Sequence, residues 1–195
     1  MIRNITRALI ATVVLAVLTG LLYPLAMTAV AQVAFTEKAN GSLVEVNGQP
    51  VGSALIGQRW VGPEWFYGRP SAVKDDASTS SGSNLGPRSQ DLADDITERA
   101  AAIVKVESPY TPGLTVASIP VDLVTASGSG LDPDISVAAA QFQAPRIASV
   151  RGLPLDQVMG LIDANTAGKT FGFLGEPRVN VLELNVALEG VAPRA

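Results

Sequence analysis

The stretch ALIATVVLAVLTGLLYPLAMTAVAQVAFT, residues 8–36, holds no charged side chain; Arg3 and Arg7 precede it and Glu37-Lys38 follow. A helix needs roughly 20 apolar residues to cross the hydrocarbon core of a bilayer, so this run can span with tilt. Its Leu, Ile, Val and Phe positions number about a dozen, each favourable by about 0.3–0.6 kcal/mol on the insertion scale, which outweighs Gln32 and several Thr. Pro24 lacks a backbone donor and predicts a kink in the second half of the run. Arg3 and Arg7 lie before the span, whereas Lys38 beyond it is matched by Glu37. The positive-inside rule therefore predicts residues 1–7 in the cytoplasm, a transmembrane helix over 8–36, and residues 37–195 outside. A cleaved signal peptide is the alternative, because Ala29-Val30-Ala31 is a small-x-small pattern before Gln32. Against it, the apolar stretch Ala8–Thr28 exceeds the roughly 7–15 residues of a signal core. Both readings export the same domain.

Beyond Thr36 the chain carries 12 of its 14 Lys/Arg and all 18 Asp/Glu, a net charge of −6. Nucleic acid is excluded as a partner by that balance. An acidic exported lobe raises the cation concentration near a surface, and the same charge also serves solubility alone. The sequence has no Cys and no His. Disulfides, thiolate and imidazole metal ligands and the usual nucleophile–base pairs are thereby removed. About 160 residues suffice for one domain with its own core.

Ser42–Val46 alternates into Asn47-Gly48 and Val51–Ile56 continues apolar, which reads as a hairpin. Trp60, Trp65, Phe66 and Tyr67 crowd one short segment and fit either core packing or a membrane or partner surface, packing being the commoner role. Residues 77–88 are rich in Ser, Gly and Asn and read as an exposed loop. Ser89 is placed to cap a helix to about Val106, with Asp91, Asp94 and Asp95 near its positive end and Leu92, Ile96, Ile103 and Val104 on one face. Ile119–Ala126 reads as a short buried segment. Asp134 or Ser136 caps a helix to Val150, interrupted by Pro145; Gly152 ends it, and Pro154 opens the next helix, to about Ala164. Phe171–Leu174 reads as a strand. Asn180 with Glu183 resembles a capping box for a last helix to Glu189, although Val179, Val181, Leu184, Val186 and Leu188 partly alternate. The fold class expected is α+β: one transmembrane helix, then a single mixed α+β extracytoplasmic domain.

Gly168-Lys169-Thr170 matches the tail of a phosphate-binding P-loop, but Asp163 stands where the leading glycine belongs, and the preceding segment reads as a helix instead of a strand. Gly168 serves better as a helix end. Ser127, Gly128, Ser129 and Gly130, and likewise Ser80–Asn84, are candidate anion or nucleotide cradles, because glycines let backbone amides converge; each also sits where a turn is needed anyway. Asp132 and Asp134 flank Pro133 and are candidate potassium-attracting carboxylates or, equally, helix-entry residues.

Arg69-Pro70-Ser71, Ser81-Gly82-Ser83-Asn84-Leu85-Gly86-Pro87, Ile119-Pro120, Asp122 through Pro133, Arg146, Arg151-Gly152, Gly172 through Leu182 and Leu184-Asn185 occur in this order behind the N-terminal span. Together they resemble the C subunit (KdpC) of the Kdp high-affinity potassium-transporting P-type ATPase. The resemblance implies a bacterial inner-membrane complex in which one subunit carries a channel-like potassium path and another, the P-type ATPase subunit, hydrolyses ATP. This chain would be a non-catalytic, single-span accessory subunit in the lipid bilayer, needed for assembly and described as a catalytic chaperone that raises the affinity for ATP. A second family-level idea places its domain over the extracytoplasmic potassium entrance. The chain departs from the family at Asp134 and Asn165, where the family usually has His. It also has Ser81-Gly82-Ser83 where a second Gly is common, and Lys169 in place of Arg. No covalently bound cofactor is expected, and the resemblance admits ATP through the complex. A domain held outside cannot touch cytoplasmic ATP, so any effect there is allosteric, whereas an acidic lobe at a potassium entrance needs no relay.

Overall fold

A computed structural model describes residues 1–191, which divide into two compact units, Met1–Leu43 and the chain from Val44 onward. In the first, α1 (Ile2–Val17), one π turn (Leu18–Leu22) and α2 (Tyr23–Ala34) form a continuous helix of 33 residues, long and apolar enough to cross a membrane. None of its side chains is buried. The kink expected at Pro24 takes the form of the π turn. Pro24 offers no N–H to the Gly20 carbonyl and its ring crowds it, so the ladder widens just upstream, with the Tyr23 N–H donating to Leu18 O five residues back. The helix stops at Phe35 (φ −142°, ψ 45°), and α3 (Thr36–Ala39) follows. The Gln32 and Asn40 side-chain amides exchange two hydrogen bonds of 3.2 Å, while Thr36 Oγ1 donates to Gln32 O at 2.7 Å. The end of the span is thus closed by its own polar residues.

The second unit is mixed α+β. β1 (Leu43–Val46) and β2 (Gln49–Ser53) pair around Asn47 (φ 53°) and Gly48 (φ 73°), the two positive φ values of a type I′ hairpin. Residues 77–88 are without regular structure, as expected. α4 (Gln90–Glu107) starts after Ser89, whose side chain makes no capping bond; its N–H donates to Gly86 O instead. One 3₁₀ turn, Val116–Ser118, precedes the expected buried segment Ile119–Ala126 and another, Val121–Leu123, lies within it; of that segment Leu123 and Val124 are buried.

β3 (Asp134–Ser136) leads directly into α5 (Val137–Arg151), and of the two candidate caps it is Ser136 that accepts the Ala139 N–H, at 3.0 Å. Asp134 lies in the strand. Pro145 does not interrupt α5; the carbonyl left without its donor belongs to Gln141, at an exposed position. Gly152 closes α5 in the left-handed region (φ 65°). α6 (Leu155–Ala164) follows Pro154, and β4 (Thr166–Ala167), β5 (Arg178–Asn180) and α7 (Val181–Val191) complete the fold. Asn180 Oδ1 accepts the Glu183 N–H at 3.1 Å, so the alternating stretch resolves into a strand to Asn180 and a capped helix after it.

The strand expected at Phe171–Leu174 is a turn. Phe171 (φ 54°) and Gly172 (φ 81°) are both left-handed, which folds the chain back so that Thr170 and Leu174 exchange backbone bonds of 2.9 and 3.0 Å. The actual sheet is antiparallel in the order β3-β5-β4, with Ile135 opposite Val179 and Thr166 also opposite Val179. Its inner face meets α5, which is buried along Ala139, Ala140, Ala144, Ile147 and Ala148; Val158, Ile162, Leu184, Leu188 and Phe66 fill the remaining space. Small alanines let α6 and the Phe66 segment come close to α5, and α7 packs on α6. Each large side chain so buried stabilises the fold by about 1.5–3 kcal/mol.

Candidate functional site

The aromatic segment packs into the core. Phe66 is fully buried, Trp65 nearly so, and the Trp60 and Trp65 rings lie 4.9 Å apart. Four polar side chains from two helices hold its backbone. Asn185 on α7 accepts the Phe66 N–H at 2.9 Å and donates to Phe66 O at 3.0 Å, while Gln143 on α5 accepts the Tyr67 N–H at 2.8 Å and donates to Tyr67 O at 3.1 Å. Each amide imitates the neighbouring peptide a strand would supply. Arg146 donates to Pro63 O, to Trp65 O at 2.8 Å, to Gln143 Oε1 at 2.9 Å and to Glu107 Oε1 at 2.8 Å, and its guanidinium lies 4.4 Å from the Tyr67 ring centre. Arg151 donates to Glu64 O at 3.0 Å, pairs with Glu189 at 2.9 Å and covers the Trp65 ring. Burial pushes the Glu107 carboxyl above the usual range, and Arg146 beside it offsets part of that rise.

Downstream, this segment delivers Arg69-Pro70-Ser71 to the two glycine-serine turns. The Ser127 N–H donates to Pro70 O at 3.2 Å, Ser71 Oγ donates to Gly130 O at 2.6 Å, and Ser80 Oγ donates to Ser129 O at 3.1 Å. Gly130 has φ 70°, and a Cβ there would stand 2.6 Å from Ser81 O. Ser127 and Gly130 are therefore buried against other loops, whereas Gly128 and Ser129 are exposed. The two turns pack on each other, with Gly82 close against Gly128.

Asp132 and Asp134 stand side by side on the next stretch, and each faces an arginine. Asp132 pairs with Arg69 at 2.9 Å and accepts the Asp134 N–H at 3.1 Å; Asp134 pairs with Arg178 Nε at 2.8 Å across the β3-β5 ladder. Burial raises the Asp134 carboxyl above its ordinary range, Arg178 draws it back, and the Asp132 charge adds to the rise. Asp122 accepts both the N–H and the Oγ of Ser136, at 2.7 and 3.1 Å. With Glu176 these residues line an open cavity of about 500 Å³, in which four carboxylates face two guanidiniums, those of Arg69 and Arg178. Its wall is net acidic.

Lys169 of the P-loop-like tail pairs with Glu176 at 3.2 Å, and Thr170 opens a turn with no helix behind it, so the phosphate-loop context is absent. Among the described residues no group of acidic side chains converges as a metal cage. The Asn165 side chain donates to Leu161 O at 2.8 Å and closes α6. Residue-by-residue reading missed Gln143, Asn185, Glu107 and Glu176. The readable signal for Gln143 and Asn185 was a polar residue flanked by apolar helix neighbours, Phe142 and Ala144 in one case and Leu184 and Val186 in the other; Glu107, at a helix end before Ser108, and Glu176, exposed in a loop, offered none.

The family model described as K+-transporting ATPase, c chain, matches residues 5–190. A potassium-transporting ATPase KdpC subunit of Rhodopseudomonas palustris CGA009 is 50% identical over 208 residues, covering 100% of both chains. The KdpC subunit of Caulobacter vibrioides NA1000 is 51% identical over 196 residues, with 99% of this chain and 96% of that one covered, and that of Herminiimonas arsenicoxydans is 49% identical over 185 residues, covering 93% and 95%. With matches running through the apolar helix, both glycine-serine turns and the arginine-held core, this chain belongs to the KdpC family of potassium-transporting ATPase subunits.

Proposed function

We propose that this chain is a non-catalytic accessory subunit that crosses the bacterial inner membrane once, with residues 1–7 cytoplasmic and residues 37–195 outside. There it contacts the channel-like potassium subunit and the P-type ATPase subunit, contributes to assembly, and caps the potassium entrance. The observation that supports the cap is the cavity where Asp122, Asp132, Asp134 and Glu176 outnumber Arg69 and Arg178, in a lobe already at net −6. Negative potential of this kind raises the local potassium concentration without a dedicated ion cage. A sequence without His or Cys supports the non-catalytic part. Ser127–Gly130 then serves as a structural corner, and any gain in ATP affinity travels through the membrane helix as allosteric coupling.

The test is potassium-dependent ATPase activity of the whole complex carrying Asp132→Asn and Asp134→Asn, or Glu176→Gln alone. Glu176 is exposed and its loss leaves the Asp132 and Asp134 ion pairs intact. Apparent potassium affinity of the variants is expected to fall about two- to fivefold below wild type at low ionic strength, and the gap to close as salt screens the wild-type field. Unchanged affinity at low salt in all the variants would remove these carboxylates from the mechanism.

A further inference from the structure

A second cavity, of about 290 Å³, opens between residues 56–60, 67–71, 74–75, 132–133 and 181–182, and its charge runs against that of the domain. Arg59, Arg69 and Lys74 line it against Asp75 and Asp132. Arg69 is engaged by Asp132 at 2.9 Å and the Arg59 charge acts on the Asp75 carboxyl, but neither Arg59 nor Lys74 forms a salt bridge among the described residues. Trp60 and Tyr67 supply flat walls. The backbone is strained at the same place. Lys74 (φ 58°) and Asp75 (φ 60°) are successive non-glycine residues in the left-handed region, a conformation that costs on the order of 1–3 kcal/mol each and is concentrated at ligand sites. Ser71 Oγ holds that turn by accepting the N–H groups of Val73 and Asp75 at 3.2 and 2.9 Å.

We propose that this cavity binds a phosphate group, held by the Arg59 guanidinium and the Lys74 ammonium. A guanidinium fork meets two phosphate oxygens bidentately and the ammonium adds a point charge beside it, a donor pair that suits the tetrahedral oxygens of a phosphate. The volume lies at the lower edge of small-molecule sites, which suits a phosphate or a phosphodiester headgroup and leaves out a nucleoside triphosphate. The phosphate comes either from solution or from a lipid headgroup. Nine residues, 35–43, join the apolar helix to the second unit, and a fully extended run of that length reaches at most about 30 Å.

The experiment follows the thermal midpoint of the full chain in nanodiscs, for the wild type and for Arg59→Gln/Lys74→Gln. In neutral phosphatidylcholine without phosphate the two are expected to match, since both side chains are exposed. Inorganic phosphate added at constant ionic strength is expected to raise the wild-type midpoint saturably, with apparent affinity about tenfold weaker in the double variant. A rise on adding phosphatidylglycerol, with no response to free phosphate and none in the variant, assigns the headgroup as the source. No saturable response to either, or equal responses in wild type and variant, overturns the proposal.

Discussion

Arg146 is fully buried and uses every nitrogen it has, on two backbone carbonyls, one amide and one carboxylate. An arginine in this position is costly to remove, because Glu107 and the Pro63 and Trp65 carbonyls would be left buried without a partner. Its partner gives the pair a pH signature. The folded state raises the Glu107 carboxyl, chiefly by burial, so folded Glu107 holds its proton more readily than unfolded Glu107 does. Stability linked to that proton is present in full below the unfolded pKa of about 4.3 and drains away as pH rises through the folded value. Glu107→Gln removes the titration. In thermal unfolding of the detergent-solubilised chain, the lead of wild type over this variant is expected to shrink as pH goes from about 4 toward 7. A gap that stays constant across that range would show that Glu107 does not titrate there. Asp134 is raised by the same cause, and its Arg178 pair opposes the rise.

At the scale of elements, two of the glycines with positive φ make different demands. Gly152 ends α5 at φ 65° with open space around it, so Gly152→Ala meets only the conformational cost, about 1 kcal/mol. Gly130, at φ 70°, has Ser81 O and Val73 Cγ2 within 2.7 Å of where a Cβ would sit. Gly130→Ala is expected to lose more than Gly152→Ala by a further 1 kcal/mol or so, read as midpoints in parallel urea titrations. Equal losses would mean that the two turns separate freely. The elements that were legible in the sequence carry their chemistry locally: Asn47-Gly48 turns the hairpin, Gly152 stops α5 and Asn180 caps α7. The three-stranded sheet was not legible, because strands of two or three residues are too short for alternation to register. Phe171–Leu174 misled for the converse reason, an apolar run folded by the φ of Phe171 and Gly172 and left exposed. Arg69, Arg146, Arg151 and Asn185 were visible through the family resemblance, but nothing local says that Gln143 binds a backbone 76 residues away.

For the molecule as a whole, the buried cluster runs from Phe66 to Leu188 and lies within the second unit. A fragment beginning at Val44 is therefore expected to unfold cooperatively without detergent, at a midpoint within a few degrees of the full chain. Non-cooperative melting of the fragment would instead show that the helix is needed for folding. That helix has one further property. The π turn at Leu18–Leu22 adds a residue to the helical ladder, and each residue turns the screw by about 100°. Side chains of Tyr23–Ala34 are thus out of phase with those of Ile2–Val17, so that a single span presents one seam in its first half and a differently facing seam in its second. Two neighbouring subunits can each be met at a different depth of the bilayer, without a second helix.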